Sequence, residues 1–208
     1  MAQRPAWTIK DDLIKCEYFE FQWNGGFALI QKQKNINNLH KAIYNKYGEK
    51  SLEVSTKSDL QLGKEASAFN LKCNGYFVEN IFQSSKVYSE GGPFIDLLNK
   101  SPKEAKKDER HLKYGALKEF FYNDVHWELT PRTAFYDYLY INALLQSTSM
   151  EFLECYQWFT DIEFNPKRSI NCQARSIAIA KYLFENNKMD KLNNVKEWVQ
   201  FHREHVKD

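Results

Sequence analysis

Apolar positions along the chain fall on helical spacing more often than they alternate. Over residues 32–47, Ile36, Leu39, Ile43 and Tyr47 recur at three- and four-residue steps, and Gly48 supplies a stop. Residues 78–88 place Val78, Ile81, Phe82 and Tyr88 on one helical stripe, closed by Gly91-Gly92-Pro93. Phe94, Leu97 and Leu98 begin a further short helix. Ser101-Pro102 sets an N-cap residue before proline at the first helical position, which predicts a helix from Pro102 through Arg110. Residues 131–149 are apolar nearly all round, as a central buried helix requires, and a shorter apolar piece spans 152–159. Helical patterns end the chain at 172–186 and 192–205. Alternation is rarer. Residues 17–30 alternate aromatic and polar positions around Asn24-Gly25-Gly26, which predicts a hairpin, and residues 51–56 alternate as a short strand. Residues 57–64 and Asn165-Pro166 read as loop. The pattern predicts a mainly α, α+β fold: a compact helical domain with a few short strands.

Composition narrows this picture. A chain of 208 residues suits one domain, or one plus an extension. Aromatics make up 15% while glycine occurs only 8 times, which favours helices and a bulky core over a many-turned sandwich. Basic and acidic residues number 29 and 27, so any nucleic acid is held by local contacts rather than by bulk charge. Cys16, Cys73, Cys155 and Cys172 form no C-x-x-C spacing, which speaks against a zinc site and for reduced thiols. The N-terminus carries no signal-type apolar region and no run is long enough to span a bilayer. The expectation is a cytoplasmic protein without membrane contact.

Few positions suggest chemistry by themselves. Glu79, Gln83 and Lys86 follow one another at four and three residues, so a helix would align a carboxylate, an amide and an ammonium. Spacing alone favours a solvated helix face over a polar cleft wall. Asp161-Ile162-Glu163 is either an active-site carboxylate pair or a capped turn. Trp127 is either a stacking surface or core. Basic residues from Lys100 to Lys118 read more readily as a solvated face than as a phosphate site, and His202 and His205 as a solvated terminal turn rather than metal ligands.

In order, these segments resemble the NADAR family of N-glycosidases, over roughly residues 50–190. Ser55-Thr56-Lys57-Ser58, then Gly63 and Ser67-Ala68-Phe69-Asn70, is similar to the first family block. Residues 78–86, with Glu79, Gln83 and Lys86, are similar to the family's Glu/Gln/Lys helix, and Pro102 with Ala105-Lys106 to the element after it. Trp127, Asp161-Ile162-Glu163 and Asn171 make the third block. Asn80 stands where the family often has histidine, Asp108-Glu109-Arg110 replaces a Gly-Arg, and Phe164-Asn165-Pro166 replaces a W-G-x-G. Residues 21–27, 31–40 and 171–176 resemble the branch encoded beside DarT-type DNA ADP-ribosyltransferase toxins.

The resemblance implies an N-terminal subfamily segment at 1–50, packed on a catalytic domain at 51–208. It implies an antitoxin that removes ADP-ribose from guanine bases of DNA, with ADP-ribosylated DNA, the product ADP-ribose and a cognate toxin as partners, and with no metal or cofactor. Glu79 would stabilise the sugar cation or activate water, with Asp161 as second acid. Lys86 would bind diphosphate or attack the sugar, with Lys57 its weaker rival. Gln83, Ser67, Phe69 and Asn70 would line the ligand, Lys106 and Arg110 would meet phosphate, and Trp127 would stack. Two alternatives remain open: an N-glycosidase for a small phosphorylated nucleotide metabolite, and a non-catalytic protein that binds ADP-ribose or the toxin.

Overall fold

The computed structural model describes residues 1–147, 150–167 and 169–206. In chain order it forms β1 (Ala2–Lys10), β2 (Leu13–Phe21), α1 (Leu29–Tyr47), β3 (Ser51–Glu53), α2 (Gln61–Glu65), β4 (Lys72–Cys73), β5 (Tyr76–Phe77), α3 (Val78–Ser84) and β6 (Lys86–Tyr88). Then follow α4 (Pro102–Lys106), α5 (Arg110–Lys113), β7 (Leu117–Tyr122), β8 (Val125–Trp127), α6 (Ala134–Ser147), β9 (Trp158–Thr160), α7 (Gln173–Glu185) and α8 (Val195–His205). The fold class is α+β, as the periodicity implies. Among the described residues no helix is long and apolar enough to cross a membrane.

The hairpin lies earlier than the alternation predicts. β1 and β2 pair antiparallel from Ala2 with Phe21 to Lys10 with Leu13, across Asp11-Asp12. Both aspartates take left-handed φ, 54° and 59°, which suits a two-residue turn between twisted strands. Asn24, expected at the turn, instead anchors the connection into α1. Its backbone N and its Nδ2 donate to Oδ1 of buried Asn35 at 2.7 and 3.2 Å, and Asn35 Nδ2 donates back to Asn24 O at 2.9 Å.

The larger sheet has strand order β2-β1-β9-β3, with β9 antiparallel to β1 and parallel to β3. Alternate side chains send it two ways. Ala6, Phe19, Phe21 and Trp158 pack with Ile36, Leu39 and Ile43 of α1. Trp7 and Phe159 face the main core with α6 and α7. α6 is the buried central helix: Leu139, Tyr140, Ile141, Ala143 and Leu144 are each 0% exposed. The predicted segment runs on to Ser149, but 148 and 149 lie outside the described residues.

Several boundaries move for local reasons. The 51–56 alternation gives a strand at Ser51–Glu53 only, and the 57–64 loop yields to α2 from Gln61. The 78–88 helix stops at Ser84, where Ser84 and Ser85 hydroxyls both donate to Ile81 O, and the chain turns into β6. The Pro102 helix carries the expected capping box of Ser101 and Glu104 but ends at Lys106. The apolar piece at 152–159 divides into a 3₁₀ turn, Met150–Cys155, and β9. His202 is no solvated terminal residue: it is 1% exposed and its Nε2 lies 2.9 Å from Asp137 Oδ2.

Candidate active site

α3 is the element that sets the geometry. All seven of its residues are buried, contrary to the solvated face that spacing alone favours. Val78, Ile81 and Phe82 anchor it in the main core, with Phe82 5.1 Å from the Phe120 ring and 5.3 Å from the Tyr136 ring. On its far side Asn80 Nδ2 donates to Leu97 O and Lys100 O, each at 2.7 Å. Held on both sides, the helix presents a polar line. Gln83 Nε2 donates to Glu79 Oε1 at 2.8 Å, and Lys86 Nζ donates to Gln83 Oε1 at 2.6 Å. Lys86 belongs to β6 rather than to the helix, yet the turn returns its amine to Gln83. Lys106 Nζ approaches Glu79 Oε1 at 3.5 Å from α4.

Burial tunes this line. The Lys86 amine is pushed down to about 8, first by burial, with Glu79 opposing and Lys106 adding to the shift. Glu79 is 3% exposed and faces a cleft of two lobes, of about 520 and 580 Å³. The lobes share Glu79, Lys106, Tyr136, Ser169 and Asn171. Lys86, Gln83 and Arg132 wall the first; Asp161, Phe69 and Gln173 wall the second. Both sizes fall within the usual range for small-ligand sites, roughly 300–1,000 Å³.

Asp161 forms the opposite wall. It follows β9 and is 6% exposed. Gln173 Nε2 donates to its Oδ2 at 3.0 Å, while Gln173 Oε1 accepts from Ala68 N at 2.8 Å and Ser67 Oγ at 3.4 Å. Burial, and then the Glu53 charge, raise the Asp161 carboxyl to about 8. Glu53 lies beneath, 1% exposed, accepting from Ser55 Oγ, Thr160 Oγ1 and Ile162 N. Since the Thr160 hydroxyl proton goes to Glu53, His40 Nε2 is the donor in its 2.8 Å contact with Thr160 Oγ1. Burial holds the His40 imidazole down near 4, so it is neutral.

A carboxylate, a weakly basic amine and a carboxylic acid thus face one cleft. A model of the family described as DarT1-associated NADAR antitoxin matches residues 2–208. The chain belongs to the DarT1-associated NADAR antitoxin family. Among curated proteins none matches it.

In this NADAR antitoxin, the structure brings Glu79, Gln83, Lys86, Lys106, Phe69 and Asp161 to the cleft. Ser67 lies behind the wall, orienting Gln173. Four expected residues lie elsewhere. Arg110 is occupied by two carboxylates, Asp96 and Asp108, and stacked 4.5 Å over Phe94. Asn70 is exposed and donates to Lys64 O. Lys57 is half-buried and walls neither lobe. Trp127 is 3% exposed, packed 4.7 Å from Tyr138 and 5.2 Å from Phe135, so core packing replaces the stacking surface.

Sequence reasoning missed Tyr136, which is near enough to both Glu79 and Asp161 that each helps raise its phenol. In a helix aromatic on every side, nothing singled it out. Arg4, Trp23, Phe27 and Lys32 of the N-terminal segment also wall the second lobe. For Trp23, Phe27 and Lys32 the sequence signal is the aromatic and basic content of residues 21–34 and their resemblance to the DarT-associated branch; Arg4 carries none.

Proposed function

We propose that this NADAR antitoxin hydrolyses the N-glycosidic bond between ribose C1 of ADP-ribose and a guanine amino nitrogen in DNA, reversing the product of a DarT-type toxin. The observation that carries the reading is the Glu79–Gln83–Lys86 line, which runs along the first lobe and ends with Glu79 at its junction with the lobe that Asp161 walls. Departure of the nitrogen builds positive charge on C1 and the ring oxygen, as in other glycoside cleavages. Glu79, with its Oε1 tied by Gln83, is suited to stabilise that charge. Asp161, protonated at neutral pH by its burial, is suited to give its proton to the leaving nitrogen.

Lys86 completes the chemistry. An amine near pKa 8 is partly unprotonated at physiological pH and can bond to C1 as the guanine leaves. It gives up one proton to Glu79, the carboxylate whose charge acts on it; its other N–H proton moves to the ring oxygen as the C1–oxygen bond opens, leaving an imine and a hydroxyl, and solvent returns the proton on Glu79 to Asp161. Water adds to C1, the amine departs, and ADP-ribose is released. Lys106 and Arg132 supply cationic charge for the diphosphate. The test is borohydride reduction during turnover. It should fix an ADP-ribosyl adduct on Lys86 that is lost in Lys86→Arg. Steady turnover with no adduct would favour direct attack by water.

A further inference from the structure

The connection from β2 to α1 has a fixed stem and a bare tip. Asn35 holds Asn24 by three hydrogen bonds, and Asn38 Nδ2 donates to Gln22 O at 2.8 Å. Beyond this stem Phe27 is 99% exposed. Trp23 stands half-buried at the stem, with the Arg4 guanidinium 4.8 Å from its ring and Lys32 Nζ at 5.9 Å. All four residues wall the lobe that leads to Asp161 and Glu79. Among the described residues no hydrophobic cluster includes Phe27, so their packing does not account for a phenylalanine there.

Aromatic rings interleaved with cations suit a single nucleic acid strand, the rings taking bases and the cations phosphates. We propose that Trp23 and Phe27 form a nucleotide subsite that stacks a base of single-stranded DNA adjoining the ADP-ribosylated guanine, with Arg4 directed to the strand's phosphates and Lys32, held 2.8 Å from Glu163, fixing the wall beside Trp23. The proposal rests on the reading of the cleft as a guanine–ADP-ribose hydrolase. Stacking tolerates any base, so the loop favours a strand over a mononucleotide without imposing sequence. It also places recognition of the polymer on the first 35 residues, apart from the Glu79–Lys86 line.

The test compares guanosine-linked ADP-ribose with a single-stranded oligonucleotide of about 12 nucleotides carrying one modified guanine. Phe27→Ala, at a solvent-bare position, should lower the oligonucleotide-to-mononucleotide ratio of kcat/KM by ~10-fold. An unchanged ratio overturns the proposal, as does equal loss on both substrates, which would put the adenine of ADP-ribose on the loop. Fluorescence anisotropy with an unmodified labelled strand needs no turnover; there Phe27→Ala should weaken binding by ~5-fold or more. If the wild type cleaves neither substrate, the hydrolase reading fails, and equal strand affinity of wild type and variant separately overturns the subsite.

Discussion

Lys86 and Asp161 have opposite chemistries and one environment. Burial lowers the amine and raises the acid, and both arrive near pH 8. The signs oppose each other in catalysis. In the proposed reaction the amine attacks only when unprotonated, so kcat/KM should rise with pH toward about 8. Asp161, as the proposed acid, would donate only while protonated, so kcat/KM should fall above about 8, giving a bell with its maximum near that value. Asp161→Asn should slow turnover and flatten the falling limb. A profile level from about pH 6 to 9.5 would take both groups out of proton transfer. Trp127 makes the contrasting case. As a core residue whose Nε1 has no hydrogen-bond partner among the described residues, it should tolerate Trp127→Phe with turnover within about twofold, while Trp127→Ala should cost ~3–5 kcal/mol of stability by denaturant unfolding. A large rise in KM for a folded Trp127→Phe would restore it to the ligand.

At the level of elements, the main helices were legible and the strands largely were not. Residues 32–47 show the 3.6-residue periodicity that burial of one face imposes, while 131–149 and 172–186, buried nearly all round, are legible as helices by the length of their apolar runs. β1 shows none, because Pro5 through Thr8 are all buried and a strand covered on both faces has no polar alternation. The 78–88 stripe misled for a different reason. Tyr88 continues the helical spacing but packs in another cluster, with Phe94, Leu97 and Ala105. Glu79, Gln83 and Lys86 were found by their spacing and resemblance, although the helix ends before Lys86. Tyr136 and the Glu53 carboxylate carried no local signal, since each gains its position from long-range packing. Gly63, marked by resemblance alone, has a physical reason: a Cβ there would stand 2.1 Å from Glu53 O and 2.5 Å from Ser58 Oγ. Gly63→Ala should therefore push α2 off β3 and lower stability by ~2 kcal/mol or more. An unfolding midpoint equal to wild type would show that the contact relaxes at no cost.

Across the whole molecule, a net charge of +2 leaves the proposed recognition of an anionic substrate to a few placed cations. Arg4 and Lys32 come from the first elements, Lys86 and Lys106 from the middle of the chain, and Arg132 from just before α6; all open on one cleft. Since β1 joins the sheet through β9, immediately before Asp161, the N-terminal hairpin and the acid share one framework. As proposed, Glu79 works in cleavage rather than in ligand binding. Mass spectrometry of a single-stranded oligonucleotide ADP-ribosylated at guanine tests it most directly. Wild type should yield unmodified oligonucleotide and free ADP-ribose, and Glu79→Gln should do so ~100-fold more slowly while binding ADP-ribose within about threefold of wild type. An oligonucleotide left intact by wild type, or cleaved by Glu79→Gln at the wild-type rate, would contradict the account.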